Sequence, residues 1–145
     1  YLDKVESRQT VRMHSQIGNA SPTYCTGVGK AALSTLDDAE VRKLLAKVNF
    51  RKHTATTLSG VDALIDELHA IRRDGVSYDR EEHEPGIHCV AAPVFSRDGH
   101  LAAGLSVTAP VFRVPMRKLQ EWSGLVRETA HQLSEEVNAR LSPRS

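Results

Sequence analysis

No stretch of this sequence approaches the ~20 consecutive apolar residues that a spanning helix needs. No secretory signal, with its basic, apolar and small-residue regions, stands at its start. Cysteine is scarce. Only Cys25 and Cys89 are present, far apart, so no disulfide framework is available. In a chain without a secretory signal the two read as free thiols of a reducing cytosol, and a cytoplasmic location is expected. Charge of one sign is lacking too: the formal net charge is +1, which leaves no electrostatic footprint for nucleic acid or membrane. Neither CxxC nor HExxH spacing occurs, and there is no internal repeat, low-complexity tract or linker.

What remains is ordinary globular composition, 40% hydrophobic and 26% charged over 145 residues. That length suits one domain, here 1–145, able to bury roughly two-thirds of its unfolded surface without a disulfide or metal. The chain opens without Met, directly on strand-like alternation, so we expect a domain cut from a longer protein.

Tyr1–Glu6 and Val11–His14 read as two short strands. Thr26 is positioned to cap a helix over Gly27–Ser34. Asp37-x-x-Glu40 is a capping box for a helix with Val41, Leu44, Leu45 and Val48 on one face. Ser59-x-x-Asp62 opens another, with Val61, Leu64, Ile65, Leu68 and Ile71 at helical spacing and Gly75 as its stop. Val76–Asp79 resumes a strand, and Ile87–Phe95 with Leu101–Thr108 form a hairpin. Pro115 opens a last helix striped by Leu119, Trp122, Val126, Leu133 and Val137. This order predicts an α/β (α+β) domain, a mostly antiparallel sheet with helices packed on it.

Asp98-Gly99 signals a two-residue hairpin turn, which pairs Arg97 with His100. Carried along the ladder, that register sets Cys89 opposite Thr108 and Ala91 opposite Ser106, all four on one face. The other face holds Val90, Ala92, Val94, Ala103, Leu105 and Val107 and is apolar enough to bury against helices. A face of small thiol, hydroxyl and methyl groups leaves room above it, as a pocket floor does. It also fits the solvated outer face of an antiparallel sheet. Asp79, at the end of the preceding strand, stands at the rim, and Glu81 and Glu82 read as a solvated acidic loop.

Several chemistries fail on spacing. Gly27-Val28-Gly29-Lys30 approximates the end of a phosphate-binding loop, but Tyr24 replaces the first glycine and Ala31 the Ser/Thr that would hold magnesium. The glycines either present free N–H groups to a carboxylate or allow close helix–sheet packing. Asp79, His83, His88 and Cys89 make a poor metal set, because His88 and Cys89 point to opposite faces of a strand. Cys89 as a nucleophile would have only His83 as a local base. His14, His53, His69, His100 and His131 carry no constellation and read as surface or capping residues.

Several stretches together resemble one family: Asp3-Lys4-Val5-Glu6-Ser7, Cys25-Thr26-Gly27-Val28-Gly29-Lys30-Ala31, Thr56-Thr57-Leu58, Gly75-Val76-Ser77-Tyr78-Asp79-Arg80-Glu81-Glu82, Gly86 to Val94, and Leu105-Ser106-Val107-Thr108-Ala109-Pro110. On these the chain resembles the C-terminal effector-binding domain of IclR-family bacterial transcription regulators, and within the family its regulators of sugar-acid catabolism. The resemblance implies a GAF-like domain with a curved antiparallel sheet, and an N-terminal winged helix-turn-helix outside this sequence. It implies dimers or tetramers, operator DNA as a partner only through the N-terminal domain, and an organic-acid or sugar-acid effector. The family's pocket, carried over, falls on Met13, Gly27, Val28, Asp79, Ile87, Cys89, Ser106 and Thr108. The glycine turn would take a carboxylate and Asp79 a hydroxyl. Cys89, Ser106 and Thr108 would hold further oxygens, with Met13 and Ile87 as apolar wall. No metal, cofactor, catalysis or membrane partner is expected. The alternatives are a GAF-like thiol enzyme using Cys89 and a pure oligomerisation module.

Overall fold

The computed structural model describes residues 1–9 and 16–141. Along the chain run α1 (Gly27–Leu33), α2 (Asp38–Leu45), α3 (Val61–Asp74), β1 (Ser77–Arg80), β2 (Ile87–Phe95), β3 (Leu101–Pro110) and α4 (Met116–Leu141). The strands form an antiparallel sheet in the order β1-β2-β3. The expected α+β class holds. Tyr1–Glu6, expected as a strand, takes no strand conformation among the described residues. Its first residue is tied instead, through Gly18 N–H donating to the Tyr1 carbonyl at 3.0 Å. Val11–His14 lies outside the described residues.

The α2 capping box is present in both directions, with Glu40 N–H donating to Asp37 Oδ1 at 2.8 Å and Asp37 N–H to Glu40 Oε2 at 3.0 Å. Only Val41 and Leu45 of its expected stripe are buried; Leu44 and Val48 face water. Among the described residues no side chain caps α3. Its N-cap is Gly60 rather than Ser59, and it ends where predicted, on Gly75 in the left-handed conformation at φ +75.

Two apolar clusters lie on opposite sides of the sheet. Tyr24, Cys25 and Leu33 join Val41 and Leu45 of α2 and Leu64, Ile65, Leu68 and Ile71 of α3. On the other side Val90, Ala92 and Val94 meet Leu119, Val126 and Ala130 of α4. Each fully buried Leu or Val there contributes about 1.5–3 kcal/mol. On α4, Ala130 and Ser134 occupy the core line, while Leu133 is turned outward. Ser134 Oγ accepts from Phe95 N–H at 2.9 Å and donates back to the Ala130 carbonyl.

The hairpin carries the predicted register in its body: Cys89 opposite Thr108, Ala91 opposite Ser106, Val90 opposite Val107. The turn differs. Ser96 N–H donates to the His100 carbonyl at 2.8 Å, closing a three-residue loop with Gly99 left-handed at φ +80. That longer loop would shift every rung. A bulge compensates, because Phe95 pairs with Leu101 but Val94 with Ala103, leaving Ala102 as the extra residue.

Candidate functional site

The small-residue face is not open along its length. Both faces of the sheet are covered, the apolar one by α4 and the small one by α1. Gly27 lies so close over the sheet that a Cβ there would collide with Cys89 Sγ and press on Ala91 Cβ at 3.3 Å. Ser77 Oγ donates to the Gly27 carbonyl at 2.5 Å. The helix start is therefore fixed to β1 and β2 at their shared centre. Small residues on both sides are what permit this approach. Val28 packs on the neighbouring strand, 3.5 Å from where a Cβ on Gly104 would stand.

Seven of the eight expected site residues lie among the described residues; Met13 does not. Gly27 and Cys89 are in contact, with Asp79 directly across the ladder from Cys89. Ser106 and Thr108 continue the same face outward and are half-buried, so the face opens toward β3. Ile87 begins β2 opposite Pro110, at the end of the sheet. A cavity of about 910 Å³ lies elsewhere, among Ile71, Ala92, Pro93, Phe95, Arg127 and His131, and none of the eight lines it. Among the described residues no three His, Cys, Asp or Glu side chains are grouped to hold a metal.

Behind this face lies a charge cluster that the sequence did not reveal. Lys30, on α1, is completely buried. Its ammonium donates to Glu82 Oε1 at 2.6 Å and Oε2 at 2.8 Å, and to Glu67 Oε1 at 3.2 Å. Arg80 Nη1 donates to the same Glu67 oxygen at 2.9 Å. Glu82, expected in a solvated loop, is only 3% exposed. Its N–H donates to Asp79 Oδ1 at 2.7 Å, and its carbonyl accepts from Thr57 Oγ1 at 2.6 Å. Thr56 Oγ1 donates to the carbonyls of Arg80 and Glu81, so the Thr56-Thr57 pair clamps the loop after β1. Glu81 accepts the positive φ of 58° that this tight loop requires. His53 is not a plain surface residue: its ring lies 5.1 Å from that of His83, and its Nε2 is 3.1 Å from Tyr24 Oη.

Electrostatics follow from this geometry. Burial pushes Asp79 up to about 6; the neighbouring Glu82 carboxylate adds to the rise, while the Glu82 N–H and Lys30 oppose it. Burial also raises Glu67, but Lys30 and Arg80 outweigh it and leave Glu67 below its ordinary value. Burial, with Asp79 nearby, pushes the Cys25 thiol up to about 12 and Cys89 to about 11. Thiols so raised carry almost no thiolate near neutrality, which removes the basis for a nucleophilic Cys89.

A carboxyl group raised on folding is ionised at a cost in the folded state. For Asp79 that cost is absent below about pH 4, grows between pH 4 and 6, and is then constant, on the order of 3 kcal/mol at most. Asp79→Asn keeps an acceptor for Glu82 N–H but cannot ionise. Its stability relative to the parent should therefore rise across pH 4 to 6 and stay high at pH 7.5, as read by urea unfolding at each pH. A difference that is flat with pH would show that Asp79 titrates as an ordinary surface carboxylate.

The model of the family described as bacterial transcriptional regulator IclR C-terminal matches residues 1–135. The chain belongs to the IclR family. The family's members are bacterial transcriptional regulators rather than enzymes. The HTH-type transcriptional regulator KdgR of Escherichia coli is 36% identical over 137 residues, 94% of this chain and 52% of its own length. The chain thus spans about half the length of the curated relatives it matches. Among solved structures, the Thermotoga maritima IclR superposes with a TM-score of 0.86 at 32% identity, covering 93% of this chain and 55% of that one. The inducer-binding domain of Acinetobacter PobR, a double mutant in complex with 3-hydroxybenzoic acid, superposes with a TM-score of 0.75 at 29% identity, covering 82% and 69%. The IclR-type arrangement of helices around an antiparallel sheet is the fold described above. The described residues of this IclR-family chain contain no helix long and apolar enough to cross a membrane.

Proposed function

We propose that this domain senses a small organic acid or sugar acid for a longer, cytoplasmic, DNA-binding regulator. Ligand binding shifts a dimer or tetramer arrangement and so repositions winged helix-turn-helix domains that lie outside this sequence. The observation that carries the reading is the convergence of Gly27, Asp79 and Cys89 under α1 with the half-buried hydroxyls of Ser106 and Thr108. The KdgR likeness and the acid held by PobR support it. In this reading the sheet is the curved floor of a GAF-like domain. The Gly27-Val28 turn faces the ligand's carboxylate, Asp79 takes a ligand hydroxyl, and Cys89, Ser106 and Thr108 bind remaining oxygens. Ile87 and Met13 supply apolar wall.

Calorimetry with 2-keto-3-deoxygluconate, glycerate and pyruvate tests the site. Asp79→Ala should weaken the best binder at least tenfold, about 1.4 kcal/mol, through loss of a charged acceptor. Ser106→Ala should weaken it severalfold. Binding unchanged in both variants would overturn the assignment. The close cover of Gly27 over Cys89 favours one second reading, a pure oligomerisation module. A sedimentation profile insensitive to every ligand tried would support it.

A further inference from the structure

We infer that the Lys30–Glu82 ion pair controls Asp79, Glu82 orienting the Asp79 carboxylate while Lys30 balances the Glu82 charge, so that Lys30 is a positioning residue of the candidate site without touching a ligand. The inference rests on the reading of Asp79 as a ligand-facing group.

Three residues hold Glu82 from three directions: Lys30 grips its carboxylate with two bonds, Thr57 its carbonyl, and its own N–H is spent on Asp79 Oδ1. A carboxylate held this way cannot swing, and neither can the N–H that aims Asp79. The cluster around the pair joins three elements: Lys30 comes from α1, Glu67 from α3, and Arg80 with Glu82 from the end of β1 and its loop. In charge the cluster is balanced before Asp79 is counted. Lys30 and Arg80 are matched by Glu67 and Glu82, which leaves an ionised Asp79 as the excess negative charge in a buried setting. Among the described residues the groups facing it are few. Glu82 on its own loop raises it, and Lys30 from α1 and backbone N–H groups of Glu82 and His83 lower it. The Cys25 thiol, before α1, and the Cys89 thiol, on β2, are in turn raised by burial and by the Asp79 charge. A ligand carboxylate set against Asp79 would meet that excess charge, whereas a hydroxyl or a bound proton would relieve it. The pair thus biases the rim of the site toward hydrogen-bond donors, and the acid group of a ligand toward the other end.

The test follows Asp79 directly, by the pH titration of its side-chain carbon in protein labelled with ¹³C-aspartate, assigned by the signal that Asp79→Asn removes. Glu82→Gln keeps the backbone bonds to Thr57 and Asp79 but deletes the neighbouring charge, so the Asp79 midpoint should fall by about one pH unit or more. Lys30→Met should move it upward, and the Lys30→Met/Glu82→Gln double variant should bring it back between the two. Opposite shifts with a compensated double variant are not expected of a pair that merely ties helices together. An Asp79 midpoint unmoved in Glu82→Gln overturns the inference. That variant decides the matter even where Lys30→Met alone does not fold. No ligand enters this measurement, so its failure is distinct from a failure to bind the acids tried by calorimetry.

Discussion

Lys30→Met is expected to lower stability by about 3–5 kcal/mol, the cost of leaving a buried carboxylate without its partner. Glu82 is the group stranded. It is 3% exposed and takes two bonds from Lys30, at 2.6 and 2.8 Å. Glu67 is stranded less, since it keeps Arg80 and reaches water. Methionine fills the space of the lysine stem, so packing around α1 changes little and the loss reports charge. The contrast is with Lys30→Met/Glu82→Met, where both charges leave together. Replacing both members of a buried pair by apolar groups is often close to neutral, so most of the lost stability should return. Urea unfolding of the parent, the single and the double variant at pH 7.5 measures this. A double variant no more stable than the single would mean that Glu82 is needed for its own bonds and that the ion pair contributes little.

Gly29→Ala is the second large effect, with an expected cost above about 3 kcal/mol, beyond the usual range for overpacking. A Cβ on Gly29 would overlap Thr23 Cα, the Thr23 carbonyl oxygen and Thr26 Oγ1. Two of these are backbone atoms and cannot rotate away. The third is the cap itself: Thr26 Oγ1 accepts from Gly29 N–H at 3.2 Å and donates to the Pro22 carbonyl at 2.7 Å. The added methyl would thus push the cap off the helix and the preceding loop off the cap together. Losing a cap alone costs typically ~1 kcal/mol. A thermal melt separates the two cases: Thr26→Ala should be mild and Gly29→Ala severe. Equal losses would place the effect in the cap rather than in the crowding.

What the sequence made legible was local. Asp37 and Glu40 lie three residues apart and cap each other; Gly75 ends α3 because a left-handed residue is needed there. Amphipathic spacing marked α3 accurately, but on α2 and α4 it misplaced Leu44 and Leu133, because exposure at a stripe's margin depends on which neighbour reaches it. The charge cluster was illegible. Lys30 and Glu82 are separated by 52 positions, and nothing in either segment marks the other. Lys30 read as a remnant of a phosphate loop and Glu82 as a solvated acid. The shared face was legible; the space above it was not. Cys89, Ala91, Ser106 and Thr108 share a face as expected, but the glycines also let α1 lie almost on the sheet, which closes part of the space above it. The small residues of the strand and the glycines of the helix belong to one contact, and sequence alone does not say which of them leaves room for the other.

The extra residue at Ala102 separates the hairpin tip from the rungs that matter. Counting toward Cys89 and Thr108 starts at Val94 and Ala103, so Arg97-Asp98-Gly99 lies on the far side of the irregularity from the site. A peptide tag or a fluorescent reporter spliced into the tip is therefore expected to leave the alignment of the sheet unchanged, an electrical outlet wired outside the circuit it monitors.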